Sequence, residues 1–188
     1  MGAPAVFSHP SRHHSQNIAS GAGKHLIWIV LMEVDIYTSL PEAERIWLEF
    51  EPQADLWVFQ TYGWLRRWYE HVGALHGVRV RVFVLKHEGK PAILLPLGLR
   101  KAYGVQRLEF LGGVLTDYHA PIMAKGLEGN LARRLTGQFW DQLKTYCPEA
   151  ELVHFKKVPE KVQEASNPLC GLEQAKPSEK AMYAVLKE

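Results

Sequence analysis

From Met32 the chain alternates, with Met32, Val34 and Ile36 apolar and Glu33 and Asp35 charged. A period of two predicts a half-buried strand. Ser39-Leu40-Pro41-Glu42 then opens a helix, with Thr38 or Ser39 at the cap and Pro41 in the first turn. Ile46, Trp47 and Phe50 supply its apolar stripe. A second helix is predicted from about Gln60 to Val72, where Trp64, Leu65, Trp68 and Val72 recur at spacings of three and four before Gly73 and Gly77. The period returns to two at Val78, Val80, Val82 and Val84, interleaved with Arg79, Arg81, Phe83 and Leu85. Lys86–Lys90 forms a turn, and Pro91–Leu99 runs back as an apolar strand. Tyr103-Gly104 turns again into Val105–Leu111, which Gly112-Gly113 closes, and Tyr118–Ala124 is a further strand. Asn130–Tyr146 is helical, with Leu131, Leu135, Phe139 and Leu143 on one side and Arg133, Arg134, Asp141 and Lys144 on the other. Glu151–Phe155 is the last strand, after which the pattern turns polar.

Tight turns between successive strands require antiparallel neighbours, and a long helix leading into a final strand suggests a parallel pair there. The expected fold class is therefore α/β, of the mixed α+β kind: a mostly antiparallel central sheet with helices on both faces. A chain of 188 residues buries roughly 70% of its extended surface on folding, enough for one core. Hydrophobic residues at 47% and charged residues at 22% exclude wholesale disorder.

Residues 1–31 read as a disordered tail, or as an extension upstream of a natural start at Met32. The first 25 residues hold four of the nine histidines and four of the seven serines, with no acidic residue. The apolar run Leu26–Met32 is too short to span a bilayer and lacks a cleavage site after it. Gly21-Ala22-Gly23-Lys24 fails as a phosphate loop, because Ile18 stands where glycine is needed and His25 where Ser or Thr is needed. A net charge of +2 demands no nucleic acid. Cys147 and Cys170 have neither CxxC nor metal-ligand spacing, so a reduced cytoplasmic setting without a metal is expected. Between Leu26 and Ala165 the only serine is Ser39, at a helix start, which argues against serine hydrolysis.

The segments Phe59-Gln60-Thr61-Tyr62-Gly63-Trp64 with Trp68, Ala92–Leu97, Leu108–Gly113 and Thr116-Asp117-Tyr118 stand in a distinctive order. Together they resemble the N-terminal half of the CelD/BcsL-type acetyltransferases, which are FemAB-like tandem GNAT proteins associated with cellulose and exopolysaccharide production. The resemblance covers roughly Met32 to Phe155. It implies a GNAT-like module over 32–158, followed over 159–188 by a polar tail or the start of a missing second GNAT unit. It also implies acetyl-CoA or another acyl-CoA as donor, and a sugar or envelope precursor as acceptor. A second GNAT half or a homodimer would be the protein partner, drawn by an unpaired sheet edge and by apolar strands such as Ile93–Leu97 left uncovered.

Such a catalyst holds the donor's diphosphate on backbone N–H groups where a strand enters a helix. The corresponding loop is Lys125-Gly126-Leu127-Glu128-Gly129-Asn130, and Lys125, Gly126, Gly129 and Asn130 are the candidate cofactor-binding residues. Glu128 stands where the family has glycine and would repel a diphosphate, so a plain capped helix start is the alternative. For proton transfer the candidates are Asp117, Tyr118, His119 and Glu109, with Asp117 as base and Tyr118 as donor to the leaving thiolate. Otherwise Asp117 caps a turn and Tyr118 packs in the core. Tyr62, Trp64 and Trp68 would line a sugar or acyl groove by stacking, or belong to the core. Arg100, Lys101 and Arg107 are too few and too local for a nucleic-acid surface. Two readings follow: an acyl-CoA-dependent acyltransferase, or a non-catalytic GNAT-like module that docks a partner.

Overall fold

Alternation along a strand sends successive side chains to opposite faces of its sheet, and β3 (Arg79–His87) divides the molecule in that way. Val80, Val82 and Val84 face one cluster with Leu40, Trp47, Tyr62 and Leu65, while Phe83 and Leu85 face another with Leu135 and Phe139. A computed structural model describes residues 32–173 and 175. The segment 1–31 and the end from 176, with the features noted there, lie outside the described residues.

β1 (Met32–Tyr37) leads into α1 (Leu40–Phe50). Ser39 caps α1 by accepting from the Glu42 amide, and the Glu42 carboxylate accepts in turn from the Thr38 amide and hydroxyl at 3.1 and 3.2 Å. Trp47, wholly buried, donates through Nε1 to the Gln60 carbonyl at 3.2 Å and meets the Tyr62 ring edge-on at 5.8 Å. After the short β2 (Ala54–Asp55), α2 spans Tyr62–Trp68 and widens into one π-helical turn over Tyr69–Gly73. The wider turn occupies the predicted last turn of that helix, and at Gly73 a Cβ would come within 2.8 Å of the Trp68 and Tyr69 rings.

β3 pairs with β4 (Lys90–Ala102), and β4 with β5 (Val105–Phe110), both antiparallel. The hairpins turn on Glu88-Gly89 and Tyr103-Gly104, where both residues of each pair have positive φ. That geometry matches the right-handed twist of the strands. β4 is the centre of the sheet and is buried from Ala92 to Leu99. The expectation that Ile93–Leu97 lies uncovered is therefore corrected: neighbours on both edges and helices on both faces enclose it.

One edge of β4 changes partner along its length. β5 accompanies it from Ala102 to Leu97 and then leaves, and β6 (Ile122–Ala124) takes over at Leu94 and Ile93. β6 in turn carries β2. α3 (Gly129–Asp141), broken at Gln142 from the short α4 (Leu143–Tyr146), crosses the face opposite α1 and α2. It returns the chain to β7 (Leu152–Val153), which lies parallel to β5. The sheet order is β1-β3-β4-β5-β7, antiparallel except for β5–β7. This is the mixed, mostly antiparallel sheet expected from the turn lengths. The hairpin of β8 (Lys161–Val162) and β9 (Ala165–Ser166) follows, with a 3-10 turn at Pro168–Gly171. Val162 and Leu169 from this stretch are buried in the α3-side core.

Candidate functional site

On the α2 side of β4 the inward residues change character beyond Leu94, to Gly98, Arg100 and Ala102. Gly98 faces Glu109 across the β4–β5 ladder, and Arg100 faces Arg107. Leu65 and Trp68 cover the apolar half of this face, and Trp68 and Val72 reach the edge of the polar half. A cavity of about 470 Å³ is left there, walled by Trp68, Val72 and Phe110 and closed on its far side by the 113–119 loop and His154–Lys157.

Glu109 is the hub of this cavity. One carboxylate oxygen accepts from Arg100 Nη2 at 3.0 Å and Nε at 3.2 Å, and the other meets His154 Nδ1 at 3.0 Å. Arg107 Nη1 stands 4.0 Å from that second oxygen. Burial disfavours the charged carboxylate, but the hydrogen bonds from His154 and Arg100 together outweigh it and hold Glu109 below the usual carboxylate range. The Glu109–His154 pair therefore has one imidazole nitrogen fixed by a carboxylate, the arrangement that sets the tautomer of a general base.

His119 lies on the same cavity wall, 6% exposed, with its ring stacked on Phe110 at 5.7 Å. Its Nδ1 is 2.9 Å from the Lys156 carbonyl, and its Nε2 is buried without a hydrogen-bond partner among the described residues. Burial lowers its pKa most; the Lys156 and Gly113 carbonyls pull the other way without cancelling it. His119 is thus neutral at neutral pH. The loop that carries it is held by Lys157, whose ammonium donates to the Thr116 and Val114 carbonyls at 2.9 and 3.2 Å. Gly112 starts the loop at φ +103°, where any Cβ would collide with the Thr116 hydroxyl.

The structure brings together only part of the residue set read from the sequence. Glu109, His119 and Trp68 share the cavity. Asp117 is exposed and does not line it, and the Tyr118 ring lies 6.0 Å from Trp57 while its carbonyl accepts from Gln60. Tyr62 is buried against Trp47, and Trp64 lies at the surface edge-on to Phe59 at 5.4 Å. The Lys125–Asn130 loop follows β6 at the opposite end of β4, about 23 Å along the strand from Arg100 at the usual rise per residue. There Lys125 Nζ donates to the Pro52 carbonyl at 3.1 Å, Gly126 has φ +74°, Gly129 and Asn130 are exposed, and Glu128 makes no side-chain cap to α3.

His154, Lys156 and Lys157 were not singled out from the sequence. They follow β7, whose parallel register on β5 brings His154 against Glu109. The one local signal was the same-face pair Arg107 and Glu109 on β5, two charges inside a strand flanked by Leu108 and Phe110. Among the described residues no group of three or more His, Cys, Asp or Glu could hold a metal ion, and no helix is long and apolar enough to cross a membrane. Comparison with family models, curated proteins and solved structures finds no match.

Proposed function

We propose that this chain is an acceptor-framing module of an acyl-CoA-dependent acyltransferase of the GNAT superfamily, of the CelD/BcsL type. It would transfer an acyl group to an amine or hydroxyl of a sugar or envelope precursor. The observation that carries the reading is the change of partner along β4 followed by the α3 crossover to a parallel β7. Taken together, β5 and β6 behave as one interrupted strand, and the excursion between them builds the wall of the cavity. Strand, two helices, antiparallel strands, helix and parallel strand is the element order of the GNAT fold.

In this reading the cavity over Gly98 and Glu109 receives the acceptor. His154, oriented through Nδ1 by Glu109, takes the proton that an amine or hydroxyl loses as it attacks the thioester carbon. The thiolate leaves directly, without a covalent enzyme intermediate. Trp68 offers a flat wall to a sugar ring. Glu109 is a positioning residue, and His154 is the proposed base in place of Asp117.

Titration of the protein with acetyl-CoA, paired with release of free coenzyme A on adding glucosamine, tests this. His154→Gln is expected to keep acetyl-CoA binding and to lose transfer by about a hundredfold or more. A second reading, the non-catalytic module that docks a partner, draws support from the Lys125 ammonium, which is engaged by the Pro52 carbonyl rather than presented to a diphosphate. No acetyl-CoA binding at millimolar concentration would favour that module and overturn the enzyme.

A further inference from the structure

The cavity is lined by four fixed cations, Arg100, Arg107, Lys156 and Lys157, against the single carboxylate of Glu109. Glu109 is already taken by Arg100 and His154, and Lys157 is taken by two loop carbonyls. Arg107 keeps only a 4.0 Å approach to Glu109, without a hydrogen bond. Its side chain is 20% exposed and its Nε is buried with no hydrogen-bond partner among the described residues. Its guanidinium carbon stands 5.3 Å from the centre of the Tyr103 ring. A buried charged N–H without an acceptor is costly in a folded protein and normally marks a missing partner. His119 Nε2, on the wall of the same cavity, is also buried without a partner among the described residues; with Nδ1–H on the Lys156 carbonyl it is an acceptor, open to a ligand hydroxyl.

A guanidinium with free N–H groups matches the oxygens of a phosphate, and the surplus of cations here exceeds what one carboxylate neutralises. The remaining walls are flat and apolar, from Trp68, Phe110 and Val72, and the volume suits a ring bearing one anionic group. At the mouth Tyr103, Val114 and Leu115 are exposed, at 94%, 87% and 57%. We infer that this cavity is a binding site for a phosphate monoester, with the phosphate on Arg107 and Lys156 and the body of the ligand against Trp68. The phosphate can belong to a soluble sugar phosphate or to a lipid headgroup reached through the apolar mouth. That the ligand is the acyl acceptor rests on the proposed function; that it binds does not.

Glucose 1-phosphate is titrated into the full chain by calorimetry, with glucose as the uncharged control. Vesicles of phosphatidic acid in phosphatidylcholine, against phosphatidylcholine alone, form the lipid arm. Binding of glucose 1-phosphate and not of glucose is expected, weakened at least about tenfold in Arg107→Met. Co-sedimentation with phosphatidic acid alone, lost in Arg107→Met, would support the site and assign the phosphate to a lipid. Lys90→Gln, exposed at the far end of β4, is expected to leave either affinity unchanged. The thermal midpoint of ligand-free Arg107→Met should equal or exceed that of the parent, because an unsatisfied group is removed. No binding in either arm at about 10 mM phosphate, equal affinity in Arg107→Met, or a lowered midpoint in that variant would overturn the inference. Acetyl-CoA binding is expected to survive Arg107→Met, so a failed acyl-CoA titration and a failed phosphate titration indict different claims.

Discussion

His119 and Glu109 face one cavity and respond to acid for different reasons. Burial depresses the pKa of His119, so the unfolded chain takes up a proton there before the folded one does. Stability is therefore full above the ordinary histidine value of 6.5 and falls as the pH drops below it. His119→Asn keeps a donor for the Lys156 carbonyl and removes the titration. Urea midpoints measured between about pH 7.5 and 5.5 should show a slope in the parent, of at most about 1.4 kcal/mol per pH unit, that is missing in the variant. Glu109 acts lower on the scale. Its depressed pKa contributes stability above the ordinary value of 4.5, lost as the pH falls through the folded-state value. Glu109→Gln should cost about 2 kcal/mol at neutral pH, and the gap from the parent should close in acid. A gap that persists unchanged at low pH would mean that packing, not charge, sets the cost.

At the scale of elements, the bend at Gly112 decides where the polar wall of the cavity stands. Gly112 holds φ +103°, with the Thr116 hydroxyl in the space a side chain would need. Gly112→Ala should cost about 2 kcal/mol or more through strain and collision, and should move His119 together with the loop. A melting curve, followed by a proton spectrum of the histidine ring signals, reads both effects; an unshifted His119 resonance would show that the loop is anchored by Lys157 alone. The elements themselves were largely legible from the alternation of apolar residues. The valines of Arg79–His87, the run at Lys90–Ala102 and the stripe of α3 all lie where periodicity places them. The strands expected over Tyr118–Ala124 and Glu151–Phe155 shorten to Ile122–Ala124 and Leu152–Val153, because strand length depends on how far a partner runs alongside. No periodicity in one segment encodes the extent of another.

For the whole molecule, the boundary drawn after Val158 meets a core that continues past it. Val162 is fully buried and Leu169 nearly so, both among side chains of the α3-side cluster. A chain ending at Val158 should lose about 3–6 kcal/mol from these two residues alone, seen as a lower denaturation midpoint; an unchanged midpoint would show that 159–172 rests on the core without stabilising it. Local order was written in the chain itself: the two-residue and 3.6-residue periods, the Ser39 cap and the Glu88-Gly89 and Tyr103-Gly104 turns follow from neighbours a few positions apart. The mixed, mostly antiparallel sheet followed from those turn lengths. The cavity did not, because it joins Trp68, Glu109, His119 and His154 from four separate segments. Only the parallel register of β7 on β5 sets His154 against Glu109, and only the departure of β5 from β4 opens the wall that Arg107 faces. Those are long-range pairings chosen by the burial of the whole sheet, and a one-residue slip in either would send the same charges to the other face.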